Sequence, residues 1–318
     1  MKATADYQTQ DRMSAKLSAI PLPDLKGKRV LDVGCDERFW CDLAWQRGAQ
    51  RVLGIDRGRR GHDGQWINCA DYTMDVGRQW HELGKFDVIF CFSLYHHIYQ
   101  SGGGDHRPIW FWLWRQLDKN GVVMWENPLE INDPVVQANV SPEYHKNYNR
   151  VAILNAANKF FKIEYIGPAQ HVPTREVYRF TRRELETTSY TADIRAGAGG
   201  ATRAFLYDDG RRIKEIAKVL GIVPVPGSLN LWCTHTFYGF DEGYYRAQIL
   251  DVKDRGKGLD SEWALRWMRF CPVYIAGIRA FAIRFEGEMY PACFVELISD
   301  VRLRDHNITD RPVVLVNG

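Results

Sequence analysis

Asp32-Val33-Gly34-Cys35 follows directly on the apolar run RVLDV and precedes a helix-like stretch. A strand that ends in a glycine turn at a helix N-terminus lets a ligand approach backbone N–H groups. A second apolar run, RVLGID, ends in Asp56, whose carboxylate can accept hydrogen bonds from both hydroxyls of a ribose. Each signal alone also fits a helix cap or a turn residue. Their order and spacing together point to a nucleoside-binding site.

The elements that must carry these residues alternate between short apolar runs and helical patterns, the mark of β-α-β winding around a parallel sheet. The expected strands are Arg29–Val33, Arg51–Asp56, a short one within Gly64–Asp71, Phe86–Phe92 and Gly121–Glu126. Helices are expected at Phe39–Arg47, Pro108–Leu117 and Asn147–Phe160. Phe161–Gly167 and Arg175–Arg182 sit close together and fit an antiparallel pair. The expected fold is therefore α/β: a doubly wound, Rossmann-like sheet, mostly parallel with one antiparallel strand. Residues 1–185 form this domain. A Gly-rich linker at about 186–203 leads to a smaller α+β accessory or substrate-recognition domain at 204–318.

Composition excludes several classes. The 318 residues are 45% hydrophobic and 13% aromatic, too rich in burial for a disordered chain. Lys and Arg number 42 against 39 Asp and Glu, a net charge of +3, which does not advertise a polyanion partner. No apolar run reaches the roughly 20 residues that span a bilayer, and the first residues lack the apolar core of a secretory signal. Seven scattered cysteines, never spaced C-x-x-C, suggest a reducing cytoplasm and no structural zinc. No metal is expected.

Leu25–Gly58 resembles the first β-α-β unit of class I S-adenosylmethionine-dependent methyltransferases. LPDLKGKRVLDVGC and RGAQRVLGID look most like the branch with tRNA wobble-uridine methyltransferases and small-molecule relatives. The resemblance covers about residues 22–183. It implies S-adenosylmethionine as cofactor, held by Asp32, Gly34, Cys35, Arg38, Asp56, Asp71 and Phe92. Asp71 would contact the adenine amine, and FDVIFCFSLYHHI would line the methyl site. REVYRFTR resembles the family's antiparallel last strand. One departure stands out: the family writes D-x-G-C-G-x-G, whereas Asp36 and Arg38 replace the second and third glycines here. The loop then binds the same cofactor in an altered backbone, or Arg38 pairs with the cofactor's carboxylate, or binding is lost.

Methyl transfer needs alignment and, for a hydroxyl acceptor, removal of a proton. His96 and His97 follow the fourth strand, where this fold meets its acceptors, and one imidazole is the candidate base. Adjacent histidines are expected to point apart, so that one at most faces the site. Glu126 at the end of the fifth strand is a candidate for orienting the acceptor, or a cap for the next segment. IWFWLW (Ile109–Trp114) reads as core rather than a base-stacking platform. GRRIKEIAKVLGI (Gly210–Ile222) looks like half a helix-turn-helix, but Pro224 and Pro226 stand where a recognition helix should run. The leading expectation is methyl transfer to an O or N atom of a small polar metabolite or sugar, with the second domain selecting the acceptor. An RNA methyltransferase or nucleic-acid-binding module, and a non-catalytic scaffold, are the alternatives. Oligomeric state is open.

Overall fold

The computed structural model describes residues 10–57, 69–169, 172, 174–195, 210–226, 229–242, 245–252, 263–287 and 291–316. These fall into two compact units, residues 1–77 with 83–184, and residues 78–82 with 185–318. Among the described residues no helix is long and apolar enough to cross a membrane.

The first unit contains α1 (Gln10–Ala19), β1 (Arg29–Val33), α2 (Phe39–Gln46), β2 (Arg51–Asp56), β3 (Cys69–Thr73) and β4 (Phe86–Phe92). They are followed by α3 (Tyr95–Ser101), α4 (Arg107–Gln116), β5 (Leu117–Pro128), α5 (Pro134–Asn139), α6 (Arg150–Asn158), β6 (Phe161–Pro168) and β7 (Arg175–Arg182). The strands form one sheet in the order β3-β2-β1-β4-β5-β7-β6. β3, β2, β1, β4 and β5 are mutually parallel, and β7 runs antiparallel to both β5 and β6. This is the doubly wound arrangement with one reversed strand. Val30, Leu31 and Val33 of β1 and Ile89, Phe90 and Cys91 of β4 are buried, because helices cover both faces of such a sheet. The aromatic run of α4 is core: Trp110, Phe111, Trp112 and Trp114 are all buried.

The second unit corrects the expectation of an α+β domain. It contains β8 (Thr188–Arg195), α7 (Arg211–Leu220), β9 (Leu229–Cys233), the one-turn α8 (Gly239–Glu242), β10 (Tyr245–Val252), β11 (Trp263–Ile275), β12 (Ile278–Phe285), β13 (Phe294–Ile298) and β14 (Val313–Val316). Every strand pairing is antiparallel. β11-β12-β13-β9-β8-β14 would be an open sheet, but β14 also pairs with β11 through Val273↔Val316, Tyr274↔Leu315 and Ile275↔Val314. The result is a closed six-stranded barrel, which leaves no sheet edge within the ring. β10 extends it beside β11.

Thr188–Arg195, expected to lie in the linker, is a barrel strand. Its Tyr190 and Ala192 point into the core, in the period-two alternation of a half-buried strand. Residues 196–203 of the expected linker lie outside the described residues. α7 ends at Gly221 with φ +68, and Val225 then donates its N–H to the Ser299 carbonyl at 2.9 Å. That segment is extended chain, not a recognition helix. Residues 78–82 belong to this unit: the Trp80 ring stacks on Tyr245 at 5.4 Å, and its Nε1 donates to the Arg246 carbonyl at 3.0 Å.

Candidate functional site

The chain leaves β1 through Gly34, at φ +80. A Cβ added there would stand 2.7 Å from Leu94 Cδ2, so the loop after β1 and the segment after β4 are in direct contact. The Gly34 and Cys35 N–H groups both donate to the Ile55 carbonyl, at 2.8 and 3.1 Å. The next N–H, that of Asp36, donates to Asp56 Oδ2 at 3.1 Å. Asp36 has φ +41 and Arg38 φ +69. Thus the two residues that replace family glycines both keep the left-handed backbone that glycine favours. Aspartate tolerates that region; for arginine it costs about 1–2 kcal/mol. The Arg38 side chain is nevertheless buried, 3.9 Å from Asp42 Oδ1 on the first turn of α2.

The other expected cofactor residues are distributed as follows. Asp32 is buried and accepts a hydrogen bond from the Cys41 thiol at 3.4 Å, which fastens β1 to α2. Cys35 is buried, and Gly54 is without a side chain where a Cβ would meet Cys35 Sγ and Cys41 Sγ at 2.9 Å. Asp71 lies in β3 opposite Gly54, with its side chain outside the described residues. Phe92 closes β4 and packs on Trp40, ring centroids 4.6 Å apart.

Where β4 and β5 end, a group of buried charges forms. Glu126 is fully buried and pairs with Lys16 Nζ at 2.9 Å and with Arg175 Nη1 at 3.4 Å. Ser93, held at φ +58, donates its hydroxyl to Glu126 Oε2 at 2.8 Å and accepts from Lys16 at 3.0 Å and Arg175 at 2.6 Å. The Lys16 ammonium also lies 5.2 Å from the Phe92 ring centre, a cation–π distance. Burial pushes the Glu126 carboxyl up. The Lys16 and Arg175 charges, with hydrogen bonds from Lys16 and Ser93, outweigh it and hold the group below the usual glutamate value. Glu126, a candidate for orienting the acceptor or for capping the next segment, thus faces two cations and a hydroxyl of its own chain.

Lys16, Ser93 and Arg175 went unread in the sequence. α1 is polar and gave no apolar signal, and Arg175 reads as an ordinary strand residue until β7 is seen to run antiparallel beside β5. Asn127 is a backbone clamp, accepting from Tyr95 N at 2.7 Å and donating to the Cys91 carbonyl at 3.0 Å. Tyr95 is core. His106 Nε2 faces the Asn147 carbonyl at 2.8 Å and so must carry the proton, which leaves Nδ1 to accept from the Tyr95 hydroxyl at 2.8 Å.

The two histidines occupy the first turn of α3. Their ring centroids are only 4.1 Å apart, so they do not diverge as expected for neighbouring helical positions. His96 is 1% exposed, and neither ring nitrogen has a hydrogen-bond partner. Burial, then the neighbouring His97 and the Arg175 charge, push its pKa down to about 2. His97 is half-buried; burial and Arg57 lower its pKa while Asp56 opposes them. One end of the sheet thus collects the glycine loop, Asp56, both histidines and the buried ion group. A carboxylate at a strand end beside a tight loop is a donor and acceptor set that suits a nucleoside with a charged tail.

Residues 5–130 match a family described as a methyltransferase domain. Residues 197–317 match a family labelled CTP-dependent RFKase and described as a domain of unknown function, DUF120. The ubiquinone biosynthesis O-methyltransferase of Pseudomonas aeruginosa is 35% identical over 82 residues, which is 23% of this chain and 35% of that protein. The tRNA U34 carboxymethyltransferase of Campylobacter hominis is 29% identical over 86 residues, 24% of this chain and 30% of that one. The chain spans about a third of the length of these curated relatives. A putative S-adenosylmethionine-dependent methyltransferase from Listeria monocytogenes, of known structure, superposes with a TM-score of 0.44 at 18% identity, covering 55% of this chain and all of that one. Over residues 5–130 this chain is thus similar to a methyltransferase domain.

Proposed function

We propose that the chain is an S-adenosylmethionine-dependent methyltransferase acting on an O or N atom of a small polar molecule. The observation that carries this reading is the β1–α2 loop: Asp36 and Arg38 keep a glycine-like backbone, and the Asp36 N–H rests on the Asp56 carboxylate. A loop that had lost its ligand would be under no pressure to hold two side chains in that conformation. S-adenosylmethionine, when bound, supplies a methyl group on a sulfonium, a carbon electrophile. Asp56 would hold the ribose, Asp71 the adenine, and Gly34 to Arg38 the methionine end beside Phe92.

The test is calorimetric titration of the full chain with S-adenosylhomocysteine. Asp56→Ala removes a charge-assisted, two-hydroxyl contact, so affinity should fall by about 1.5–3 kcal/mol, roughly 10- to 150-fold. Unchanged affinity in a folded variant refutes the assignment. A small acceptor is favoured over RNA by the balanced charge of the chain. Binding to RNA with a steep salt dependence would reverse that preference.

A second ligand on the surface of the barrel unit is favoured by the match over residues 197–317 and by an open pocket of about 600 Å³ lined by Asp193, Trp232, Thr234, His235 and Tyr238. CTP is the first ligand to try, by thermal shift of the full chain. No stabilisation at millimolar CTP rejects it.

A further inference from the structure

His96 is a buried imidazole with two unpartnered nitrogens at the sheet end proposed for methyl transfer. A neutral imidazole carries one N–H donor and one acceptor nitrogen. Leaving such a group dry and unpaired costs stability, and native proteins keep few of them without a purpose. A polar group of a bound ligand can supply that partner.

The surroundings select its charge. The charged side chain that acts on His96 is Arg175, whose guanidinium also holds Ser93 and Glu126. Lys16 stands on the same serine hydroxyl. The other titratable neighbour, His97, also disfavours positive charge on His96. An ammonium brought to His96 would enter the field of a buried guanidinium, whereas an oxyanion would be stabilised by it. His96 is also held so firmly neutral that it is a poor proton acceptor, though it remains a good N–H donor. An acceptor that needs its proton removed by a protein base is poorly served. One that sheds its own proton to solvent is well served.

Resting on the methyltransferase reading above, we propose that the acceptor is an acidic O–H compound (a phenol, enol or carboxylic acid) bound as its oxyanion. Its oxygen accepts the hydrogen bond of His96, within the field of Arg175. His96 is then a binding residue for the nucleophilic oxygen and not the base.

The experiment uses the full chain saturated with S-adenosylhomocysteine and three probes: 4-nitrophenol, benzyl alcohol and benzylamine. 4-Nitrophenol should bind most tightly. At a pH about one unit below the phenol's own pKa, adding protein should raise the yellow phenolate absorbance, because the site takes the ion. His96→Leu should weaken that binding by about tenfold or more and abolish the absorbance change, while S-adenosylhomocysteine affinity stays within about twofold. Its melting temperature should not fall, since an unpaired polar group is replaced by an apolar one. Arg175→Met should lose the absorbance change as well; if it does not fold, His96→Leu decides. Tighter binding of benzylamine, binding of the phenol without the phenolate band, unaltered binding in His96→Leu, or no binding of any probe overturns the inference and leaves cofactor binding intact. Failure of the unmodified chain to bind S-adenosylhomocysteine overturns the methyltransferase reading itself.

Discussion

Replacing Glu126 by Gln keeps the shape of the side chain but removes the charge shared by Lys16 and Arg175 and turns one of its two acceptor oxygens into an NH2 donor. At 2.9 Å and an effective dielectric constant near 20, the Lys16 attraction alone is about 6 kcal/mol gross. Arg175 at 3.4 Å adds a comparable amount. Much of this is offset by the carboxylate's desolvation, and breaking a buried pair from one side nets about 3–5 kcal/mol of destabilisation. Lys16 and Arg175 would then be two buried cations around one serine hydroxyl. Hydrogen exchange followed by mass spectrometry is the suitable assay, because it reads β1, β4 and β5 separately from the barrel strands, which serve as internal reference. Lys16→Met should cost less alone, and the double variant Lys16→Met, Glu126→Gln should cost clearly less than the sum. The pH dependence has a definite sign. Glu126 is held below its unfolded value, so its contribution is complete above about pH 4.3 and disappears as pH falls through the lower folded value. A Glu126→Gln protein within about 1 kcal/mol of the parent at pH 7 would refute the reasoning.

The buried neutral histidines give the first unit a further acid sensitivity. His96 and His106 are pushed down to about 2 and about 4, chiefly by burial, so they bring no pH-linked penalty above about pH 6.5 and destabilise the unit progressively on acidification, as the unfolded chain takes up protons the folded one refuses. Stability of this unit should fall by about 2.7 kcal/mol per pH unit around pH 5, and His96→Leu should halve the slope, checked by urea unfolding across pH. Gly34→Ala places a Cβ 2.7 Å from Leu94 in a left-handed turn and should cost about 2–4 kcal/mol in denaturant titration, with part recovered by adding Leu94→Ala. In the β11–β12 hairpin, Ala276 and Gly277 both have positive φ, the two-residue turn that favours Asn-Gly. Ala276→Asn should stabilise the barrel by about 0.5–1 kcal/mol, seen as a higher melting temperature; a lower one contradicts the turn assignment.

Much of the first unit was legible because its information is local. RVLDV, RVLGID and FDVIFCF announce buried parallel strands by their apolar runs, and the glycine turn after the first of them stands where it was expected, at φ +80. The reversed β7 followed from its short distance to β6 in the chain. What escaped depends on contacts far apart in sequence. Lys16 meets Glu126 across 110 residues, and nothing in a polar helix marks one lysine for burial. The barrel escaped for the same reason, since three residue pairs between β11 and β14 separate a closed ring from an open sheet. β8 was hidden differently. Tyr190, Ala192 and Ile194 alternate as a strand should, but the Gly-rich stretch that follows drew the whole segment into a linker.

The seam of the barrel also sets an order of events in its formation. β8 opens the ring at residue 188, and one of its two neighbours, β14, begins only at residue 313. On a ribosome, β8 can pair with β9 early, but its other flank stays open until about 80 further residues have emerged between Cys233 and Val313. Closing so long a loop carries an entropic cost before any pairing compensates it, which makes the seam a late and slow step. During that interval β8 and β11 each present an unpaired flank, the kind of edge on which strands of neighbouring chains add. Yield of folded protein should therefore depend on synthesis temperature and chain density more through the four-residue β14 than through the parallel-stranded sheet of the first unit.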